Sequence, residues 1–273
     1  MTLLLLFLLT FAACSAAADA VEVWAAPSLY KVRPEERSQT SNLVWDARTK
    51  TISIAGARNE HVPFQVVVSA PKPPNEYHPA ASGFFVEASD LLSPQGRIPR
   101  DRVKLYVEHA VLCYGKSSPI GETGFWPDAL APLTDPFSMA AEFRHSIKNR
   151  AVWIDVVTPA ETPAGDYEGT IRVTQNGRAI DELRLKLKVY DFALPEETHL
   201  ITYMGVSSRQ LAAFHNLKAG SAEARALLRK YHEFLYANRM EPWFNEPLQP
   251  EIELAADGVQ VKFDSQAYDL YMN

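Results

Sequence analysis

The sequence predicts a mainly β protein: an antiparallel β-sandwich followed by the first βα units of an incomplete (β/α)8 barrel. Three observations predict it. Apolar and polar residues alternate in segments from Val21 to about Tyr190, Pro195 and two glutamates then break the pattern, and an apolar spacing of three and four residues replaces it. Composition agrees, since 19 prolines against 12 glycines, spread along a chain that is 47% hydrophobic and 22% charged, favour short strands and rigid turns.

Residues 1–20 read as a signal peptide. Met1 to Thr10 is mostly Leu and Phe, small residues fill Ala12 to Ala20, and Ala18-Asp19-Ala20 fits the small-x-small cleavage rule. The expected destination is outside the cytoplasm, periplasmic or extracellular. Phe11-Ala12-Ala13-Cys14 also resembles a lipoprotein box, which makes Cys14 an alternative lipidation site and the product a membrane-anchored lipoprotein; Phe11, where Leu is usual, favours simple cleavage. Without Cys14, Cys113 has no partner for a disulfide, and between Leu112 and Tyr114 it reads as a small buried hydrophobe.

Thr51 to Ile54 and Val103 to Val107 alternate, whereas Phe64 to Val68 is almost continuously apolar; all three read as strands. Tyr167 to Thr174 and Leu183 to Val189 flank Asn176-Gly177, whose two residues accept the positive φ of a type I′ turn and therefore mark a hairpin. Leu183, Leu185, Leu187 and Val189 are expected in the core, with Arg184, Lys186 and Lys188 in water. The domain boundary falls within Asp191 to Glu197, because Pro195 lacks the N–H of a ladder.

Beyond it, Leu200 to Val206 reads as a short buried strand. A helix from Ser221 to about Asn238 carries Ala224, Leu227, Leu228, Tyr231, Phe234 and Leu235 on one stripe, with Ser221 as N-cap and Glu223 in the first turn. Arg239 to Phe244 is the next strand, completing one βαβ unit, and a third element begins after Asp257-Gly258.

Several functions are excluded. A net charge of −6 offers no basic surface to nucleic acid. No apolar run after the leader reaches the roughly eighteen residues that span a bilayer. The seven histidines show no i, i+4 pair for a metal, and no Gly-x-Gly-x-x-Gly, Walker or Gly-x-Ser-x-Gly motif is present, so neither metal nor cofactor is expected. The candidate substrate contacts are Trp126, in the loop-like run Gly121 to Asp128, and Glu241 and Glu246, near the end of the second barrel strand where barrel active sites lie. Packing against the next domain, for Trp126, and a surface loop, for the glutamates, are the competing readings. Asp181-Glu182 reads as exposed turn chemistry.

Five segments together resemble glycoside hydrolase family 123. They are Ala57-Arg58-Asn59-Glu60 leading into Pro63 to Val68, Trp126 to Pro132, Val152 to Val157, Pro163 to Thr170, and Val189 to Pro195, with Tyr236 to Arg239 at the end of the helix. The resemblance implies a sandwich over residues 21–197 ahead of a catalytic barrel beginning at residues 198–273. It also implies a glycan substrate and β-N-acetylgalactosaminidase-like hydrolysis, in which the substrate's acetamide attacks, an Asp orients it and the neighbouring Glu protonates the leaving oxygen, an exception to the two-carboxylate scheme. That pair belongs to a later barrel strand and Asp181-Glu182 cannot inherit its role, so no catalytic residue is carried over. The expectation is the front part of such an enzyme, inactive alone, with Leu200 to Val206 left as an unpaired edge and the helix half covered. A non-catalytic glycan- or protein-binding sandwich module is the alternative.

Overall fold

The computed structural model describes residues 21–70, 82–140, 147–196, 199–200, 202, 204–243, 251–254 and 261–264. Residues 1–20, expected as a signal peptide and including Cys14, lie outside them, as do Glu246 and the expected turn at Asp257-Gly258. The chain divides into two compact units, Met1–Leu194 and Pro195–Asn273.

The first unit is built from two sheets. One orders β1 (Glu22–Pro27), β4 (Glu60–Ser69), β10 (Asn149–Thr158), β8 (Val103–Cys113) and β9 (Gly124–Pro132), antiparallel throughout. The other orders β2 (Trp45–Asp46), β3 (Thr51–Arg58), β12 (Arg178–Ala193), β11 (Gly165–Gln175), β6 (Leu91–Ser93) and β7 (Gly96–Ile98), with β5 (Phe84–Ala88) also on β11. Val66, Val152 and Ile154 from the first sheet share one buried cluster with Ile52, Ile171 and Leu183 from the second, which is the packing of a sandwich.

One pairing corrects the wholly antiparallel expectation: β3 and β12 run parallel, with Ile52 opposite Leu185 and Ile54 opposite Leu187. The hairpin turn sends β12 back from β11, and its far edge is then taken by a strand from much earlier in the chain, so its direction is free of any local turn.

That hairpin follows its sequence signal. Gln175 pairs with Arg178, and Asn176 and Gly177 take φ of 50° and 76°. A register shift at Val173 and Thr174 leaves Ile180 between the partners of the two as a bulge. Leu183, Leu185, Leu187 and Val189 are buried while the intervening cations are exposed. The strand runs on to Ala193, past the break expected at Asp191, because Ala193 pairs with Arg58 and the Leu194 N–H donates to the Arg58 carbonyl.

In β4 every residue from Phe64 to Ser69 is buried. Its inner face meets the second sheet, and its outer face is closed by the irregular segment after β1, whose Val32 joins the core. Two covered faces explain why this strand lacks alternation.

In the second unit, β13 (Met204–Gly205) pairs in parallel with β14 (Pro242–Trp243), and α1 (Ser208–Phe214) and α2 (Ala222–Ala237) lie in the connection. The Ser221 hydroxyl caps α2 by accepting from the Ala224 N–H at 3.2 Å. The expected buried strand at Leu200 to Val206 is corrected: β13 is two residues long, Leu200 and Met204 are exposed, and a two-stranded pair provides no sheet to bury them. The helix stripe is shifted as well. Ala224, Leu228 and His232 are buried in a row of i+4 steps, while Tyr231 and Phe234 are exposed. After them β15 (Glu251–Leu254) and β16 (Val261–Asp264) pair antiparallel. No helix among the described residues is long and apolar enough to cross a membrane.

Candidate functional site

The five-stranded sheet alternates, so Gln65, Trp153 and Tyr106, which stand opposite one another across three strands, share its outer face. Two buried amides on this side fasten the segment after β1. Gln65 Nε2 donates to the carbonyls of Pro27 at 2.8 Å and Tyr30 at 2.7 Å, and Asn149 Nδ2 donates to those of Arg33 at 2.9 Å and Glu36 at 2.8 Å. Asn149 is itself held through its Oδ1, which accepts from Ser69 Oγ at 2.6 Å, while Ser69 Oγ accepts from Trp24 Nε1 at 2.9 Å. Irregular backbone is thereby made rigid, because carbonyls without strand partners are satisfied by side chains below them.

The segment is pinned to the far edge strand by Arg33. Its guanidinium lies 3.8 Å from the Trp126 ring centroid, its Nη1 is 2.9 Å from Glu122 Oε2, and its Nη2 donates to the Thr123 carbonyl at 3.4 Å. Gly124 follows with a φ of 102°, a conformation that a side chain would strain, and brings the chain into β9. Between these walls is an open cleft of about 830 Å3, with Tyr30, Lys31, Arg33 and Pro34 on one side and Gly124 and Phe125 on the other.

Two buried ionisable groups belong to the same region. Glu108 in β8 is 7% exposed, and burial pushes its carboxyl up to about 7 against the pull of the Lys31 ammonium. Arg150 in β10 is also buried, which lowers it to about 10, so it stays cationic at neutral pH; its guanidinium donates to the Glu108 carbonyl at 3.0 Å and to the Ala140 carbonyl. On the same strand Asp155 Oδ2 lies 2.6 Å from Nδ1 of the exposed His61. No serine, threonine or cysteine among the described residues bonds to this pair, so it has no nucleophile to activate. Nor do three or more His, Cys, Asp or Glu among the described residues gather as a metal site.

Trp126 is corrected from loop to strand: it lies in β9 opposite Val111, half-buried, with Arg33 over its ring. The Gly, Pro and Asp around it suggested a loop, but Pro127 stands on an edge strand where no ladder N–H is required. Glu241 is half-buried in the second unit, where its backbone ties β13 to β14: its N–H donates to Thr202 Oγ1 at 2.6 Å and its carbonyl accepts from the Met204 N–H at 3.2 Å. Trp126 lies in the first compact unit and Glu241 in the second. Cys113 is only half-buried, not the core residue expected, because it ends β8 beside the edge strand. Asp181 is corrected from exposed turn to strand: it lies in β12 opposite Val173, half-buried, and its carboxylate pairs with Lys50 at 2.6 Å. Sequence reading missed Arg33, Gln65, Asn149 and Glu108. A Gln within an apolar strand and a Glu between Val107 and Ala110 were their only local signals.

The glycoside hydrolase 123 N-terminal domain model matches residues 36–175. A comparison with curated protein sequences found no match. Among solved structures, a family 123 glycoside hydrolase from Clostridium perfringens, analysed for glycolipid glycan hydrolysis, is similar with a TM-score of 0.66 at 13% identity over 93% of this chain. This chain spans 45% of that enzyme's length. The N-terminal domain of PorA (TM-score 0.27, 8% identity, 63% of this chain and 100% of that one) and the Myf fimbrial subunit MyfA of Yersinia enterocolitica (0.25, 12%, 64% and 99%) are similar only at a level that carries no inference. With the domain model covering just over half of the sequence, the chain belongs to glycoside hydrolase family 123.

Proposed function

We propose that the chain is the N-terminal part of an exported glycosidase acting on N-acetylhexosaminides, and that residues 1–273 alone do not hydrolyse them. Residues 21–197 are its non-catalytic sandwich and residues 198–273 the opening of its (β/α)8 barrel. The domain-model match over residues 36–175 carries the reading. The parallel β13–β14 pair joined through two helices supports the barrel assignment, since parallel neighbours require such a crossover. The β-N-acetylgalactosaminide substrate and acetamide-assisted chemistry follow from the family resemblance. Glu241 and Glu246 are proposed to contact substrate from the end of the second barrel strand. Trp126, its ring already covered by Arg33, is assigned a packing role instead. Export rests on the leader, with cleavage before Val21 favoured over lipidation at Cys14.

The test is an assay of the purified protein on aryl β-N-acetylgalactosaminide and aryl β-N-acetylglucosaminide. No release above buffer is expected. Turnover abolished by heating the protein would overturn the non-catalytic assignment.

A further inference from the structure

We infer that the cleft between the Tyr30–Glu36 segment and the start of β9 is a glycan-binding site that holds a neutral pyranose ring. The inference rests on the family reading only for the class of ligand. Four features of the cleft carry it. Its volume of about 830 Å3 lies in the range of small-ligand sites. Its walls are set before any ligand arrives, one by the Gln65 and Asn149 amides and the other by the Arg33 bonds to Glu122 and Thr123. Its formal charges are Lys31 and Arg33 against Glu35, Glu36 and the Glu122 bonded to Arg33, so no positive field draws in an anion.

The fourth feature is the pairing of rings with polar groups. Tyr30 and Phe125 line the cleft from opposite walls, and aromatic faces stack on the C–H face of a pyranose. Lys31, exposed at the same wall, supplies a donor to sugar hydroxyls, and Glu36, which already accepts from the Tyr30 hydroxyl, supplies an acceptor. Rings for one face of the ligand and hydrogen-bonding groups for its rim fit an uncharged polyol better than a peptide or a nucleotide. Trp126 does not line the cleft and its ring is covered by Arg33, so the ligand is placed against Tyr30 and Phe125.

Saturation-transfer NMR on the intact 273-residue protein tests this, with N-acetylgalactosamine, N-acetylglucosamine, galactose and the acidic sugar N-acetylneuraminate as probes. Transfer to at least one neutral sugar is expected, weakened about tenfold or more by Phe125→Ala and by Tyr30→Ala, retained in Tyr30→Phe, and absent for N-acetylneuraminate. Backbone amide shifts that match wild type show that the alanine variants are folded. Absence of transfer to every neutral sugar, equal transfer in a folded Phe125→Ala protein, or preference for the acidic sugar would each overturn the site. These outcomes read binding alone, so they leave the hydrolysis test independent: a protein that binds without turnover satisfies both, and one that neither binds nor turns over loses the cleft only.

Discussion

Glu108 shows how one side chain can set the pH response of a fold. Its carboxyl is buried on β8, and the nearby Lys31 only partly offsets the loss of water, so the folded state prefers the protonated acid. With the folded value raised to about 7 from an ordinary 4.5, the unfolded chain releases its proton first as pH rises. Stability attributable to this group is therefore unaffected below about pH 4.5, falls between about 4.5 and 7, and is level above, a loss of about 3 kcal/mol. The amide of Glu108→Gln cannot ionise, so the variant is expected to lack this decline and to unfold at a higher urea concentration than wild type at pH 8, with the gap closing by pH 4.5. Parallel curves for the two proteins across that range would show that Glu108 ionises freely in the folded state. No charge pattern warns of this, because a Glu within an alternating strand reads as solvent-facing until another segment is laid over it.

Among the elements, those governed by local chemistry were legible and those governed by distant partners were not. The β11–β12 turn is the local extreme: Gly177 has a φ of 76°, and a Cβ built there meets nothing within 4 Å. Gly177→Ala therefore introduces conformational strain without a clash, and a loss of about 1 kcal/mol is expected as a lower urea midpoint with unchanged slope. A midpoint equal to wild type would show that the turn relaxes to another type. The α2 helix is legible from Ser221 and its apolar spacing, whereas α1 is not, although Ser207 and Gln210 have capping-box spacing and the Ser207 hydroxyl accepts from the Gln210 N–H. At seven residues α1 is too short to show a periodic stripe. The direction of β3 beside β12 and the union of Arg33 with Glu122, eighty-nine positions away, have no local signature. The cleft is unreadable for the same reason, since its two walls are joined by contacts between residues eighty-nine positions apart.

For the whole molecule, the unequal apolar interiors of the two units make stability a local property. Among the described residues, thirty buried apolar side chains form the sandwich cluster, whereas in the second unit the cluster is Leu211 and Leu228, with Val206 and Leu227 against them. A buried Leu or Val contributes about 1.5 to 3 kcal/mol, so two of them hold α1 to α2 against very little unfolding stress. Phe214, Phe234 and Tyr236 meanwhile present large apolar surfaces to solvent. Hydrogen exchange should therefore separate the units. Amides of β4, β10 and β12 are expected to exchange only with global opening, and those of α1 and α2 about a hundredfold faster or more, through sub-global opening. If α2 proved as protected as β10 at every protein concentration, its exposed face would have to be covered within the chain itself. Protection that grew with concentration would instead identify a second copy as the cover, because only association depends on it.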